Sequence, residues 1–340
     1  MKIGVVCYPT YGGSGVVATE LGMALADKGH EVHFVTYNLP VRLDFISHKL
    51  HFYEVLMEEY PLFQYQPYEL ALSTKLVEVV SKYKLEILHV HYAIPHAYAA
   101  YMAKMMLLEK GIDIKVVTTL HGTDITLVGS HPSYKTAVEF SINNSDIVTS
   151  VSKSLKEDTL RLFSITNEII VIHNFIDTEK YDRELQNDCQ RIAVAKPSER
   201  ILTHISNFRP VKRIKDVIKV FYKVQQELAS KLLMVGEGPE KRNAELLVKK
   251  LGIEDKVIFL GNSHEISKIL CYTDVFLLPS ESESFGLAAL EAMAASTAVI
   301  STNTGGLSEV NIHGKTGYLS NLGDCDNMAK NAISILKDDE

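Results

Sequence analysis

Residues 2–37 read KIGVVCYPTYGGSGVVATELGMALADKGHEVHFVTY: a short apolar run, a glycine-rich turn, a stretch with helical spacing and a second apolar run. That order is the opening of a β-α-β unit. Inside it, Gly13-Ser14-Gly15-Val16-Val17-Ala18 fits G-x-G-x-x-A, the pattern that brings backbone close to a pyrophosphate at a helix start. The context argues against a nicotinamide or flavin. In dinucleotide folds the first glycine lies directly after the strand, whereas Pro9, Thr10 and Tyr11 lengthen this turn. A carboxylate for the ribose should also stand about 20 residues on, yet the second strand runs out through Thr36, Tyr37 and Asn38. Close approach of backbone to some ligand is what remains.

The same rhythm continues through "LEILHVH", "IKVVTTL", "DIVTSVS" and "EIIVIHN", and again through "RILTHIS", "KLLMVGEG", "KVIFLGN", "DVFLLPS" and "TAVISTN". Continuous rather than alternating apolar runs mark strands buried on both faces, hence parallel sheets covered by helices. The polar stretch 175–200, "FIDTEKYDRELQNDCQRIAVAKPSER", breaks the rhythm. The chain therefore reads as α/β with two Rossmann-like, doubly wound parallel-sheet domains, 1–175 and 201–340, joined by a linker at 176–200. Two such domains are expected to face one another across a cleft lined by the carboxyl ends of their strands.

Bulk properties set bounds. At 340 residues the chain suits two cores of ordinary size. A net charge of −7 gives no footprint for nucleic acid. The most apolar stretch, "YAIPHAYAAYMAKMMLL", is interrupted by Pro95, His96 and Lys104 and is too short to span a bilayer. The chain enters a strand at once, which reads against a secretory signal. Cys7, Cys189, Cys271 and Cys325 are scattered without metal-ligand spacing and read as reduced thiols of a cytoplasmic protein. His89 and His91 fall on one face of a strand, a geometry open to a metal pair but more typical of a buried sheet end. Asp324-Cys325-Asp326 resembles a metal-binding D-x-D, yet its place before "NMAKNAISIL" suits a helix start. No metal and no cofactor is expected.

Function must come from the strand ends. In "LLPSESESFGLAALEAMA", residues 277–294, Ser284 to Gly286 open a helix whose free N–H groups and dipole suit a phosphate, with Gly286 and Leu287 as the donor-binding residues. Glu283 precedes that helix and Glu291 follows eight residues later. Five helical residues advance about 7.5 Å, the offset from a diphosphate to the ribose of the same nucleotide. One carboxylate can thus serve each end of a sugar nucleotide.

This segment resembles the E-x7-E signature of retaining glycosyltransferases of family four, which have the two-domain GT-B fold. "VIHNFID" resembles the family's interdomain segment, "MVGEGP" its V-G-x-G-P turn and "TNTGGLSEV" its G-G-x-x-E loop, so the resemblance spans nearly the whole chain. It implies a UDP-sugar as donor. "ISNFRPVKR" matches the family's basic turn through Lys212, with Asn207 where an arginine is usual and Arg209 two residues later. Both cations are expected on the diphosphate, where they neutralise charge developing on the leaving group. His121, in "TTLHGTD", matches a histidine beside the donor's reacting sugar. The backbone nitrogens of Gly13 and Ser14 are placed at the junction of diphosphate and acceptor.

Within the family, residues 7–37, 89–103, 118–129 and 205–218 resemble one branch, which acts in bacillithiol biosynthesis. That implies transfer of N-acetylglucosamine from UDP-N-acetylglucosamine to the hydroxyl of L-malate, giving the α-glycoside and UDP. A dicarboxylate acceptor needs donors and cations, and Ser14, Tyr92, Thr123, Lys135 and Arg42 are the candidates. Another acceptor, an inositol phosphate or a lipid-linked sugar, and a sugar-nucleotide-binding module without transfer stay open, as does assembly of identical chains. The chain departs from the family at "EAMAASTAVI" and "GGLSE": Ser296 or Thr297 stands for a glycine, and Ala298 and Ser308 stand for prolines. It also ends at "ISILKDDE", where such folds continue into a helix that crosses back to the first domain. Lower stability and a truncated sequence are the expectations.

Overall fold

A computed structural model describes residues 1–10, 12–43, 48–57, 65–183, 189 and 191–338. Tyr11 of the long turn, and 184–188 and 190 of the expected linker, lie outside the described residues. The chain divides into two compact units, Met1–Asn174 and Phe175–Glu340.

The first unit holds seven strands: β1 (Lys2–Val6), β2 (Glu31–Thr36), β3 (Leu50–Glu54), β4 (Ile87–His91), β5 (Lys115–Leu120), β6 (Ile147–Ser150) and β7 (Ile169–Val171). All pairings are parallel and the order is β3-β2-β1-β4-β5-β6-β7, so the winding reverses between β1 and β4. Helices α1 (Gly13–Asp27), α2 (Tyr68–Tyr83), α3 (Tyr98–Leu108), α4 (Pro132–Asn143) and α5 (Lys153–Leu162) make the crossovers. Both faces are covered: Leu72, Leu76, Ala99 and Ala103 pack with Val35, Leu88 and Val90 on one side, Ala18 with Val5 and Phe34 on the other. Double burial explains why these strands read as unbroken apolar runs. Gly22 lies over Phe34, where a Cβ would come within 2.3 Å of the ring.

The second unit repeats the plan with β8 (Arg200–Ile205), β9 (Ser230–Val235), β10 (Val257–Gly261), β11 (Val275–Leu278), β12 (Ala298–Thr302) and β13 (Gly317–Ser320). Its parallel order is β10-β9-β8-β11-β12-β13, reversing between β8 and β11. The helices are α6 (Ile214–Glu227), α7 (Lys241–Leu251), α8 (Ile266–Cys271), α9 (Leu287–Ala294), α10 (Leu307–Val310) and α11 (Cys325–Lys337). Amphipathic α6 turns Ile214, Val217, Ile218, Phe221 and Val224 into the core.

Part of the polar stretch before β8 is core and not tether. Tyr181 and Ala195 are buried in the cluster beneath α8 and α9. Arg191 ties it further, with Nη1 donating to the Tyr272 carbonyl and Nη2 paired with Asp274. The reading of four reduced cysteines is corrected here. Cys189 and Cys271, 82 residues apart in sequence, are joined as a disulfide across a Cα separation of 5.9 Å; Cys7 and Cys325 are free and buried. The packing of this segment against the end of α8 brings them together, and scattered spacing carries no trace of it.

Two other expectations are settled by local geometry. Asp324 caps α11, accepting from the Asn327 N–H at 3.0 Å, so Asp324-Cys325-Asp326 is a helix start. Ser296, at φ +53° just beyond α9, occupies the left-handed position that favours glycine. It is therefore Ser296, and not Thr297, that stands for the family's glycine. No helix among the described residues is long and apolar enough to cross a membrane.

Candidate active site

In each unit candidate residues gather at strand ends beside its own switch point. In the second, two loops leave β8 and β11 side by side. The first, 206–213, is pinned from three directions. Phe208 is fully buried; His204 links the Leu277 carbonyl (Nδ1, 2.8 Å) to the Ser206 hydroxyl (Nε2, 2.7 Å); and the turn after β9 lies directly on its backbone. A Cβ on Gly236 would stand 1.8 Å from the Ser206 carbonyl oxygen, one on Gly238 2.1 Å from that of Asn207. The V-G-x-G-P motif thus holds the loop that carries Lys212.

The second loop, 279–286, is held likewise by the stretch after β12. The Gly306 N–H donates to the Glu283 carbonyl at 2.8 Å. A Cβ on Gly305 would come within 2.1 Å of that oxygen, and one on Gly306 within 2.3 Å of the Ser284 oxygen. The two loops also touch, through Glu281 N–H to the Val211 carbonyl at 2.8 Å.

The outcome is an ion pair: Lys212 Nζ lies 2.5 Å from Glu283 Oε1, which also accepts from the Ser280 hydroxyl at 3.0 Å. Both side chains are mostly shielded, 19% and 13% exposed, and partial exclusion of water strengthens such a pair. Gly286, at φ +97°, starts α9. The Leu287 and Ala288 N–H groups, in its first turn, have no partner within the helix, an arrangement that suits an anion. Arg209 is exposed. Glu291 is buried, and its Oε1 accepts from the Tyr181 hydroxyl at 2.7 Å, so the phenol already occupies one face of that carboxylate.

The first unit builds a different site. After β1, Gly13 and Ser14 begin α1, and a Cβ on Gly15 would press to 2.5 Å from the Tyr8 and Thr10 oxygens; that glycine lets the turn fold over the helix start. The Ser14 hydroxyl donates to Tyr92 Oη at 3.0 Å. Tyr92, at φ +87°, ends β4, and its ring lies 5.5 Å from that of His121 at the end of β5. His121 Nε2 is 2.8 Å from His91 Nδ1. Burial holds His121 down at about 3, and His89 and His96 at about 4, so these rings are neutral near pH 7 and act as hydrogen-bonding groups without charge.

Asp124, not singled out in the sequence, organises this end of the sheet. Its fully buried carboxylate accepts from the Ala93, His121 and Gly122 N–H groups at 2.9, 3.2 and 2.9 Å, fixing the turns after β4 and β5 on one another. Burial pushes it up to about 6 despite those donors. The readable signal was its place in "TTLHGTD"; an aspartate three residues beyond a strand-end histidine is well placed to catch loop amides.

The sequence candidates therefore fall into groups. Lys212, Glu283, Gly286 and Leu287 belong to one constellation, and Ser14, Tyr92 and His121 to another, with Gly13 beside Ser14 and Thr123 in the helical turn that follows His121. Lys135 is exposed on α4. Arg42 pairs with Glu20 of α1 at 3.5 Å, nearly two turns beyond Ser14.

Comparison with known proteins follows this division. Residues 11–180 match the family described as Glycosyltransferase Family 4, and residues 187–340 match Glycosyl transferases group 1. The chain is 50% identical over all 340 residues to N-acetyl-alpha-D-glucosaminyl L-malate synthase of Bacillus anthracis, covering 88% of that protein. It is 28% identical, over 99% of its length and 90% of the relative's, to an uncharacterized glycosyltransferase of Methanocaldococcus jannaschii. Among solved structures, Anabaena HepE in complex with UDP and glucose matches with a TM-score of 0.82 at 18% identity, over 99% of this chain and 90% of that one. A sucrose-phosphate synthase from Thermosynechococcus elongatus matches at 0.79 and 23% identity, with the same coverage.

Proposed function

This chain belongs to glycosyltransferase family 4, with the GT-B fold, and on that premise we propose that it transfers N-acetylglucosamine from UDP-N-acetylglucosamine to the hydroxyl of L-malate. The product is the α-glycoside, the leaving group is UDP, and the reaction is the first step of bacillithiol biosynthesis. One observation carries the assignment: half of all positions, over the whole chain, are identical to the L-malate synthase of B. anthracis. The same reading places the enzyme in the cytoplasm with its nucleotide-sugar donor.

The geometry supports the chemistry in each unit. Lys212 and the first N–H groups of α9 receive the diphosphate and stabilise the charge that grows on it as the glycosidic bond breaks. Glu283 holds Lys212 in place and accepts from sugar hydroxyls. Arg209 adds a second cation, and Glu291 accepts from the ribose hydroxyls. Ser14, Tyr92 and Thr123 are the groups proposed to hold the acceptor; Lys135, exposed on α4, and Arg42, paired with Glu20, stay candidates for its carboxylates by residue type alone. The donor phosphate accepts the malate hydroxyl proton on the face from which the sugar leaves, which preserves the anomeric configuration. Neutral His121 hydrogen-bonds the transferring sugar. Positioning and electrostatics together account for the rate.

UDP release tests the proposal when measured with the donor and L-malate, each alone and both together, with the anomer assigned by NMR. Release that requires both, with an α-linked product, is expected. Equal release without malate overturns the acceptor.

A further inference from the structure

The amino ends of the strands in the first unit, remote from the carboxyl ends described above, hold another cluster. Glu31 opens β2, and His33 follows on the same face of the sheet. His51 lies on β3 directly across the parallel ladder from His33. Glu31 Oε1 is 3.1 Å from His33 Nε2 and 3.5 Å from His51 Nε2, and one ligand atom from each residue falls within 4.8 Å of the others. Ligands at about 2.0–2.2 Å around a tetrahedral zinc ion stand about 3.3–3.6 Å apart. The two separations from Glu31 already nearly match that spacing.

Their surroundings have the character of a metal site. His33 is completely buried, and His51 Nε2 is shielded from solvent and makes no hydrogen bond among the described residues. His33 Nδ1, the nitrogen turned away from Glu31, is 3.2 Å from the Tyr53 hydroxyl, the outer contact that orients a ligating imidazole. Rings of His51, Tyr53 and Tyr83 surround His33, with centroids 4.7, 5.7 and 5.2 Å away. Lys2 Nζ takes the other carboxylate oxygen, Glu31 Oε2, at 3.2 Å, leaving Oε1 to the imidazoles. The transfer reaction uses none of these groups.

We propose that Glu31, His33 and His51 form a site for one divalent transition ion of borderline softness, with zinc as its occupant and water in the fourth position. Two imidazoles and one carboxylate select that class over magnesium or calcium. Bound there, the ion clamps the edge strand β3 to β2.

Chelator-treated full-length protein titrated with cobalt(II) tests this. One equivalent should bind with visible absorption bands of a four- or five-coordinate ion, and zinc should displace it. His51→Gln, at a half-exposed ligand, should weaken binding at least about tenfold and abolish the bands. Glu31→Gln is the second variant should the first fail to fold, and Lys2→Met should keep the one-equivalent site. Absence of stoichiometric binding to the wild type overturns the proposal, leaving an ion-pair cluster of Glu31 with Lys2 and the histidines. Unchanged affinity in both ligand variants overturns it equally.

Discussion

The two units share one plan, a parallel sheet whose winding reverses at its middle, yet furnish the switch point in opposite ways. The second unit places a charged pair, Lys212 and Glu283, on loops held by backbone-to-backbone contact through Gly236, Gly238, Gly305 and Gly306. In the first unit the strand ends carry neutral imidazoles and a phenol, held by the side chain of buried Asp124. The difference fits the roles proposed above for each end. A departing diphosphate needs charge fixed in position, and rigid loops spare the reorganisation that mobile ones would cost. An acceptor hydroxyl needs orientation in a dry environment, which uncharged hydrogen-bonding groups provide without the penalty of buried charge.

If the second unit carries the electrostatic work, Glu283→Gln should have the largest effect. Turnover measured by UDP release should fall by about 10²–10³ with little change in melting temperature. A loss below about tenfold would shift the weight to the first unit.

Acid distinguishes the units next. His89, His96 and His121 are held at about 4, 4 and 3, and His91 well below its ordinary range, all by burial. Among the described residues of the second unit, His204, held at about 4, is the one such histidine. A histidine whose folded pKa is depressed takes up a proton on unfolding. Stability is therefore full above about 6.5 and is lost as pH falls from there towards 4. Between pH 7 and 6 the first unit should lose on the order of 3 kcal/mol. Asp124, raised to about 6, opposes this weakly, since its contribution is lost as pH rises. Hydrogen exchange followed peptide by peptide should show the first unit opening before the second on acidification, and simultaneous opening would erase the distinction.

The glycine-held loops offer a third test. Gly306→Ala drives a Cβ into the Ser284 oxygen and must displace the backbone beside Glu283. A loss of turnover of about 10² is expected from a shift of about 1 Å, measured beside wild type at saturating substrates. The matching change in the first unit is Asp124→Asn, where an amide NH2 must face a backbone N–H. Urea denaturation should report about 2 kcal/mol of destabilisation. The smallest effect lies at Ser296→Gly, which relieves a left-handed serine and should raise stability by about 0.5–1 kcal/mol without altering turnover.

Much of this was legible in residue order. Apolar runs alternating with helical spacing gave both sheets, because strands buried on two faces have no polar side to display. Glu283 and Gly286 were readable because helix starts and the acids before them are local in sequence. Asp124 meets Ala93, His91 meets His121 and His204 meets Leu277 across neighbouring strands, 31, 30 and 73 residues apart, and no local pattern announces those partners.

The opening stretch shows the same boundary. G-x-G-x-x-A established a turn in which backbone passes close to something, and the structure shows that Gly15 meets the protein's own Tyr8 and Thr10 oxygens while Gly13 faces open space. Sequence by itself determined the two α/β units, the helix starts and the types of group available at the strand ends, all consequences of local spacing and burial period. Only the tertiary structure decided which groups meet: Lys212 with Glu283, Ser14 with Tyr92, Tyr181 with Glu291, and Cys189 with Cys271. Such pairings depend on how crossovers return the chain to adjacent strands, and that distance in space has no counterpart in the order of residues.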